Sequence, residues 1–266
     1  MARRSVFLTN SSVQETAVPV LIEASIEDGA IRSRLQDSEI AALVSAGKIV
    51  ILKNVFAPER AIELRAAATR WWNNTAAFPH GQSPSGLPTL NYHRIDDGKI
   101  ASSLPHVFHQ ICFNSLETLD EEIREKVGSV VSLMRDLQNR VAGTNFDFDL
   151  SGLRVKVLRY PAGGGYLSEH EHPLEPQRIG LIASLSRIGT DFVSGGTTFR
   201  TPSGFVDTNE HHDIGDIIIF RYDLAHAVRP VDQQQQIDWD SDAGKWSVLL
   251  ELRETHGQSV AKMENA

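Results

Sequence analysis

The sequence predicts a single α+β domain: a mainly helical first half, then a β-sandwich or small barrel. Three observations carry this expectation. Capped helical patterns occupy about residues 37 to 141. From Leu153 the texture changes to short β-rich runs separated by turn residues. The length, 266 residues with 41% hydrophobic side chains, suits one ordinary core. About residues 1–150 are expected to form a helical layer with one early strand, and about 151–255 the β core.

In order along the chain, Asp37 or Ser38 caps a first helix that runs to about Gly47. The run Lys48-Ile49-Val50-Ile51-Leu52 reads as the first core strand. Pro58 opens a second helix at a position proline tolerates, with Ile62, Leu64, Ala67 and Trp71 at helical spacing. A Pro/Gly/Ser loop follows from about Phe78 to Pro88. A third helix covers roughly Asp120 to Val141. Its broad apolar face (Ile123, Val127, Val130, Val131, Leu133, Met134 and Leu137) is expected to pack on the outside of a sheet. The later strands are read as 153–160, 166–172, 178–185, 197–200, 216–222, 226–231 and 246–253.

Composition excludes several classes. The formal net charge is -8 with scattered Lys and Arg, so a nucleic-acid partner is not expected. No apolar run approaches the roughly 20 residues of a spanning helix, and no membrane partner is expected. Cys112 is the single cysteine, which excludes an internal disulfide and a thiolate-rich metal site. Arg3-Arg4 faintly suggests a twin-arginine signal, but the polar Thr9-Asn10-Ser11-Ser12 interrupts it. An ordinary cytoplasmic N-terminus is expected. A homodimer is left open.

The segment from Tyr160 to Pro173 is the most informative. Side chains alternate across a strand, so His170 and His172 share a face and can hold neighbouring positions on one metal. Glu169 and Glu171 then face the other way. A third ligand must come from far away in sequence. His226 follows the apolar strand 215–222 and opens another β-like stretch, where such a ligand would sit. His211-His212 reads as a polar hairpin loop. His80, His93, His106, His109 and His256 read as surface or pocket residues, with His93 and His106 as candidate substrate contacts.

This pattern resembles the Fe(II)/2-oxoglutarate-dependent dioxygenases. The resemblance rests on Arg159 to Leu167 before His170, on Ser194-Gly195-Gly196-Thr197-Thr198-Phe199, and on Gly215 to Phe220 through His226 to Val231. It is completed by Gly244-Lys245-Trp246-Ser247-Val248, where the family places an arginine–serine pair for its co-substrate. The resemblance implies a double-stranded β-helix (jelly-roll or cupin-like), with Fe(II) as metal and with 2-oxoglutarate and O2 as co-substrates. It implies His170, His172 and His226 as ligands, with Lys245, Ser247, Tyr160 and Arg229 as candidate co-substrate contacts; Arg253 is a competing anchor.

Two departures stand out. The family holds iron with two histidines and a carboxylate, and here the carboxylate position is His172. Three neutral imidazoles would leave the metal its full charge. Lys245 replaces the usual arginine, giving a point charge in place of a planar fork. A small-molecule substrate is expected, to be hydroxylated or desaturated, with Tyr92, His93, Arg94, Tyr166 and Arg178 as candidate contacts. The alternatives are a three-histidine iron dioxygenase without 2-oxoglutarate, a non-catalytic metal or ligand sensor, and a zinc hydrolase.

Overall fold

A computed structural model describes residues 16–78, 91–98, 104–149 and 152–252. Arg3-Arg4, the loop beyond Phe78 with His80, Leu90, Arg253 and His256 lie outside the described residues.

The first half holds three helices, α1 (Asp37–Ser45), α2 (Pro58–Asn73) and α3 (Glu121–Ala142). The cap of α1 is one residue earlier than the sequence suggested. The Glu39 carboxylate reaches back to accept the Gln36 N–H at 2.7 Å, so Gln36 takes the cap position. Pro58 sits in the first turn of α2. Gly143, at φ 65°, ends α3 in the left-handed conformation that L side chains avoid.

The same half also supplies five strands: β1 (Val20–Glu27), β2 (Ala30–Ser33), β3 (Val50–Lys53), β4 (Tyr92–Asp96) and β5 (His106–Phe113). Only β3 was expected. The second half gives β6 (Leu153–Pro161), β7 (Gly165–His170), β8 (Ile179–Ser184), β9 (Thr197–Thr201), β10 (Gly204–Asp207), β11 (Ile217–Arg221), β12 (His226–Val231) and β13 (Gly244–Leu252).

Strands β6 to β13 wind between two sheets. One sheet has the order β6-β13-β8-β11, the other β7-β12-β9-β10. This is a double-stranded β-helix, as expected. Strand β5 joins the sheets, pairing with β6 over most of its length and with β7 at His106 and Val107. Strands β3 and β1 extend the first sheet beyond β11.

The first sheet is buried on both faces. Its outer face (Val155, Val157, Leu181, Ile219 and Val248) packs on Leu64 of α2 and on Val127, Val131 and Met134 of α3. The helices therefore lie outside the sheet, as the apolar face of α3 predicted. The inner faces enclose two smaller clusters, one around Ile51, Phe199 and Phe220, the other around Phe108, Tyr160, Phe192 and Val231. The site lies between these clusters. Among the described residues, no helix is long and apolar enough to cross a membrane.

Candidate metal centre

His170 is the last residue of β7, and His226 the first of β12. The antiparallel register sets the two opposite each other. His172 lies two residues past the end of β7. It is not held by strand geometry, but its ring stacks on Tyr222 at 4.4 Å between centroids and 18° between planes. Glu169 and Glu171 point to solvent, as alternation predicted, and Glu169 pairs with Arg200 at 2.6 Å.

The donor atoms of His170, His172 and His226 all lie within 4.8 Å of one another. That is slightly more than two metal–nitrogen bonds of about 2.1 Å laid end to end, so small ring rotations bring all three onto one ion. Their tautomers favour it. His170 Nδ1 donates to the Ser168 carbonyl at 3.0 Å, and His226 Nδ1 to the Leu224 carbonyl at 2.8 Å. A carbonyl only accepts, so each Nδ1 carries the proton and each Nε2 keeps its lone pair. Burial, followed by repulsion from His170, pushes the His226 pKa down to about 3. Burial lowers His170 as well. Both rings are therefore neutral near pH 7, the form that ligates a metal. The residues fit a divalent ion that accepts nitrogen donors.

The trio lines a cavity of about 280 Å³ between the two sheets. Facing it from the first sheet are Lys156, Leu158 and Tyr160 of β6 and Leu249 and Glu251 of β13. Phe220 of β11 packs on His226 at 4.9 Å. Gly180, opposite Phe220 in register, leaves the space its ring occupies.

Of the residues expected to bind co-substrate, Tyr160 lines the cavity and is fully buried, which pushes its hydroxyl pKa up. Lys245 and Ser247 share the inner face of β13, opposite Tyr160 and Leu158 of β6. Lys245 is 1% exposed, and its ammonium lies 5.3 Å from the centre of the Phe192 ring. Burial pushes its pKa down to about 8. Ser247 Oγ is buried without a hydrogen-bond partner among the described residues. Neither residue is among those lining the cavity. Arg229 does not reach it; it is exposed and pairs with Asp207 at 3.0 Å.

Of the residues expected to bind substrate, Arg94 lines the cavity. It is paired with Asp96 at 2.7 Å, and Asp96 also takes His106 Nε2 at 3.0 Å. His106 lines the cavity too. His93 is on the opposite face of β4, bonded to His109 at 2.9 Å and packed edge-on against Trp71. Tyr92 faces inward, but its hydroxyl is occupied by Gln110 at 3.2 Å, and it does not line the cavity. Tyr166 pairs with Val107 beyond the lining. Arg178 is exposed on the outer side, bonded to Glu175 and to the carbonyl of Ala142 at the end of α3. The residues 211–212, expected as a polar loop, divide: His212 turns inward and is 1% exposed.

Lys156, Glu251, Phe220 and Tyr222 were not anticipated. A signal for Lys156 existed: in Arg154-Val155-Lys156-Val157-Leu158, alternation places two cations on the face opposite the valines.

No protein-family model and no curated protein matches the sequence. Solved structures do match. A prolyl-4-hydroxylase from Pseudomonas putida superposes with TM-score 0.52 at 10% identity, over 81% of this chain and 97% of that one. A prolyl hydroxylase from Trichoplax adhaerens, solved with a hypoxia inducible factor peptide fragment, gives 0.53 at 13%, over 84% and 94%. A non-haem α-ketoglutarate-dependent epimerase of nogalamycin biosynthesis gives 0.51 at 13%, over 80% and 81%. At these identities the likeness establishes the fold that the chain shares with them.

Proposed function

We propose that this chain is a non-haem iron oxygenase that uses 2-oxoglutarate and O2 to oxidise a small molecule. The single observation that carries the reading is the trio itself: three imidazoles converging inside a double-stranded β-helix, with the Nδ1 protons of His170 and His226 held by carbonyls so that their Nε2 atoms can ligate. Iron bound there would activate O2, coupling decarboxylation of 2-oxoglutarate to succinate and CO2 with oxidation of a substrate C–H bond.

The protein's own side chains do the rest. Lys245 meets the distal carboxylate of 2-oxoglutarate as a point charge, and the unpartnered Ser247 Oγ donates a second hydrogen bond. That carboxylate would remove the cost of burying an unpaired cation. Tyr222 holds the ring of His172 in place by stacking. Leu158, Leu249 and Phe220 keep the chamber apolar and exclude water.

One observation favours a second reading. Lys245 and Ser247 stand outside the lining of the cavity. In a three-histidine oxygenase without 2-oxoglutarate, substrate would ligate the metal directly. Incubation with Fe(II), 2-oxoglutarate and O2 separates the two. The first reading predicts iron-dependent succinate that disappears in His226→Ala. Substrate oxidation without succinate selects the second, and zinc in anaerobically purified protein would displace both.

A further inference from the structure

The wall opposite the histidines carries a charge that the chemistry above does not use. Glu251 and Lys156 line the cavity on neighbouring strands of the first sheet. Glu251 Oε2 accepts from Lys156 Nζ at 2.7 Å and from Arg154 Nη2 at 2.8 Å. One carboxylate thus serves two cations. Arg154 is 3% exposed and does not line the cavity, whereas Lys156 does. The ammonium of Lys156 has three donors, one of them spent on Glu251. Lys156 therefore presents a positive charge with two remaining donors at the cavity wall.

The rest of the chamber does not absorb it. Arg94 is balanced by Asp96. On the reading proposed above, which this inference rests on and deepens, a divalent ion on neutral ligands and Lys245 bring +3 against the two charges of 2-oxoglutarate. A carboxylate ligand would have removed one more, and His172 does not. The metal end of the chamber is therefore positive, and its walls are the apolar Leu104, Leu158, Leu167 and Val228.

We propose that the substrate is a monoanion, a carboxylate head on an apolar body, received by Lys156 across the cavity from the three histidines. A phosphate dianion would exceed the one charge that Lys156 offers at the receiving wall. A cation would add to an already positive chamber. The apolar body lies along the leucine wall, and its C–H bonds face the metal position.

Calorimetric titration tests this with three probes of one size: hexanoate, 1-hexanol and hexylammonium. Each is titrated anaerobically into protein holding Fe(II) and 2-oxoglutarate, and again into metal-free protein. Hexanoate should bind at least tenfold more tightly than the other two. Lys156→Met should abolish that preference and Lys156→Arg should restore it, with circular dichroism unchanged in both. In the metal-free titration, Lys245→Met should leave the preference intact. Hexanoate binding no better than hexanol overturns the proposal, as does a preference that survives Lys156→Met or disappears only in Lys245→Met. If the iron and 2-oxoglutarate reading fails while this one holds, succinate is absent but metal-free protein still selects hexanoate through Lys156.

Discussion

His172 shows best how residue chemistry and backbone geometry divide the work. The His-x-His spacing was legible because strand alternation puts both rings on one face. The structure reaches the same convergence differently. The strand stops at His170, and Tyr222 holds His172 from the side. Tyr222→Ala should therefore weaken metal binding roughly tenfold to a hundredfold, the usual cost of losing a group that orients a ligand, with the fold intact. Competition with a chelating dye measures it. Lys245 gives a second prediction. Its pKa is about 8 in the folded chain against 10.5 when unfolded, so the unfolded state binds more protons between those values and stability rises with pH across that window. The burial penalty, fully present below pH 8, is about 3 kcal/mol. Denaturant titration at pH 7 should find Lys245→Met more stable than the parent by up to that order, while 2-oxoglutarate binding is lost. In the parent, 2-oxoglutarate affinity should hold below pH 8 and fall above it, as the ammonium loses its proton. Lys156 and Glu251 escaped the sequence because they meet only through the β6–β13 register, nearly a hundred residues apart in the chain.

At the level of elements, the β8–β11 pairing sets the site. Gly180 lies opposite Phe220, and any side chain built at 180 would overlap the Phe220 ring. Phe220 in turn packs on His226. Gly180→Val should displace the ring, loosen His226 and lower metal affinity by about tenfold or more, with far-ultraviolet circular dichroism unchanged. The strands of the second half were legible because turn residues punctuate them. Those of the first half were largely missed. Strand β5 is buried on both faces between β4 and β6, and its polar His109 and Gln110 fall side by side in mid-strand, so it shows no alternation. Strand β1 pairs with β3 along its first half and with β2 along its second, and its burial is intermittent, so its pattern is weak.

Across the whole molecule, helices and chemistry occupy opposite faces of the same sheet. Trp72 of α2 stacks on Trp246 at 5.2 Å, and α3 covers the centre of the outer face. Lys245 and Ser247, the immediate neighbours of Trp246, point the other way. Stability and metal affinity should thus separate. Met134→Ala in α3 should cost about 2–5 kcal/mol by leaving a cavity, with metal affinity per folded chain unchanged. The amphipathic face of α3 made this layer legible from sequence, whereas the depth of the chamber depends on how the two sheets close around it. The central claim, that three histidines hold one iron and Lys245 anchors 2-oxoglutarate beside it, is tested most directly by anaerobic equilibrium dialysis of Fe(II) and 2-oxoglutarate together. The expected result is one iron and one 2-oxoglutarate per chain, both lost in His226→Ala and only the 2-oxoglutarate lost in Lys245→Met. Iron retained in His226→Ala, or 2-oxoglutarate retained in Lys245→Met, would contradict it.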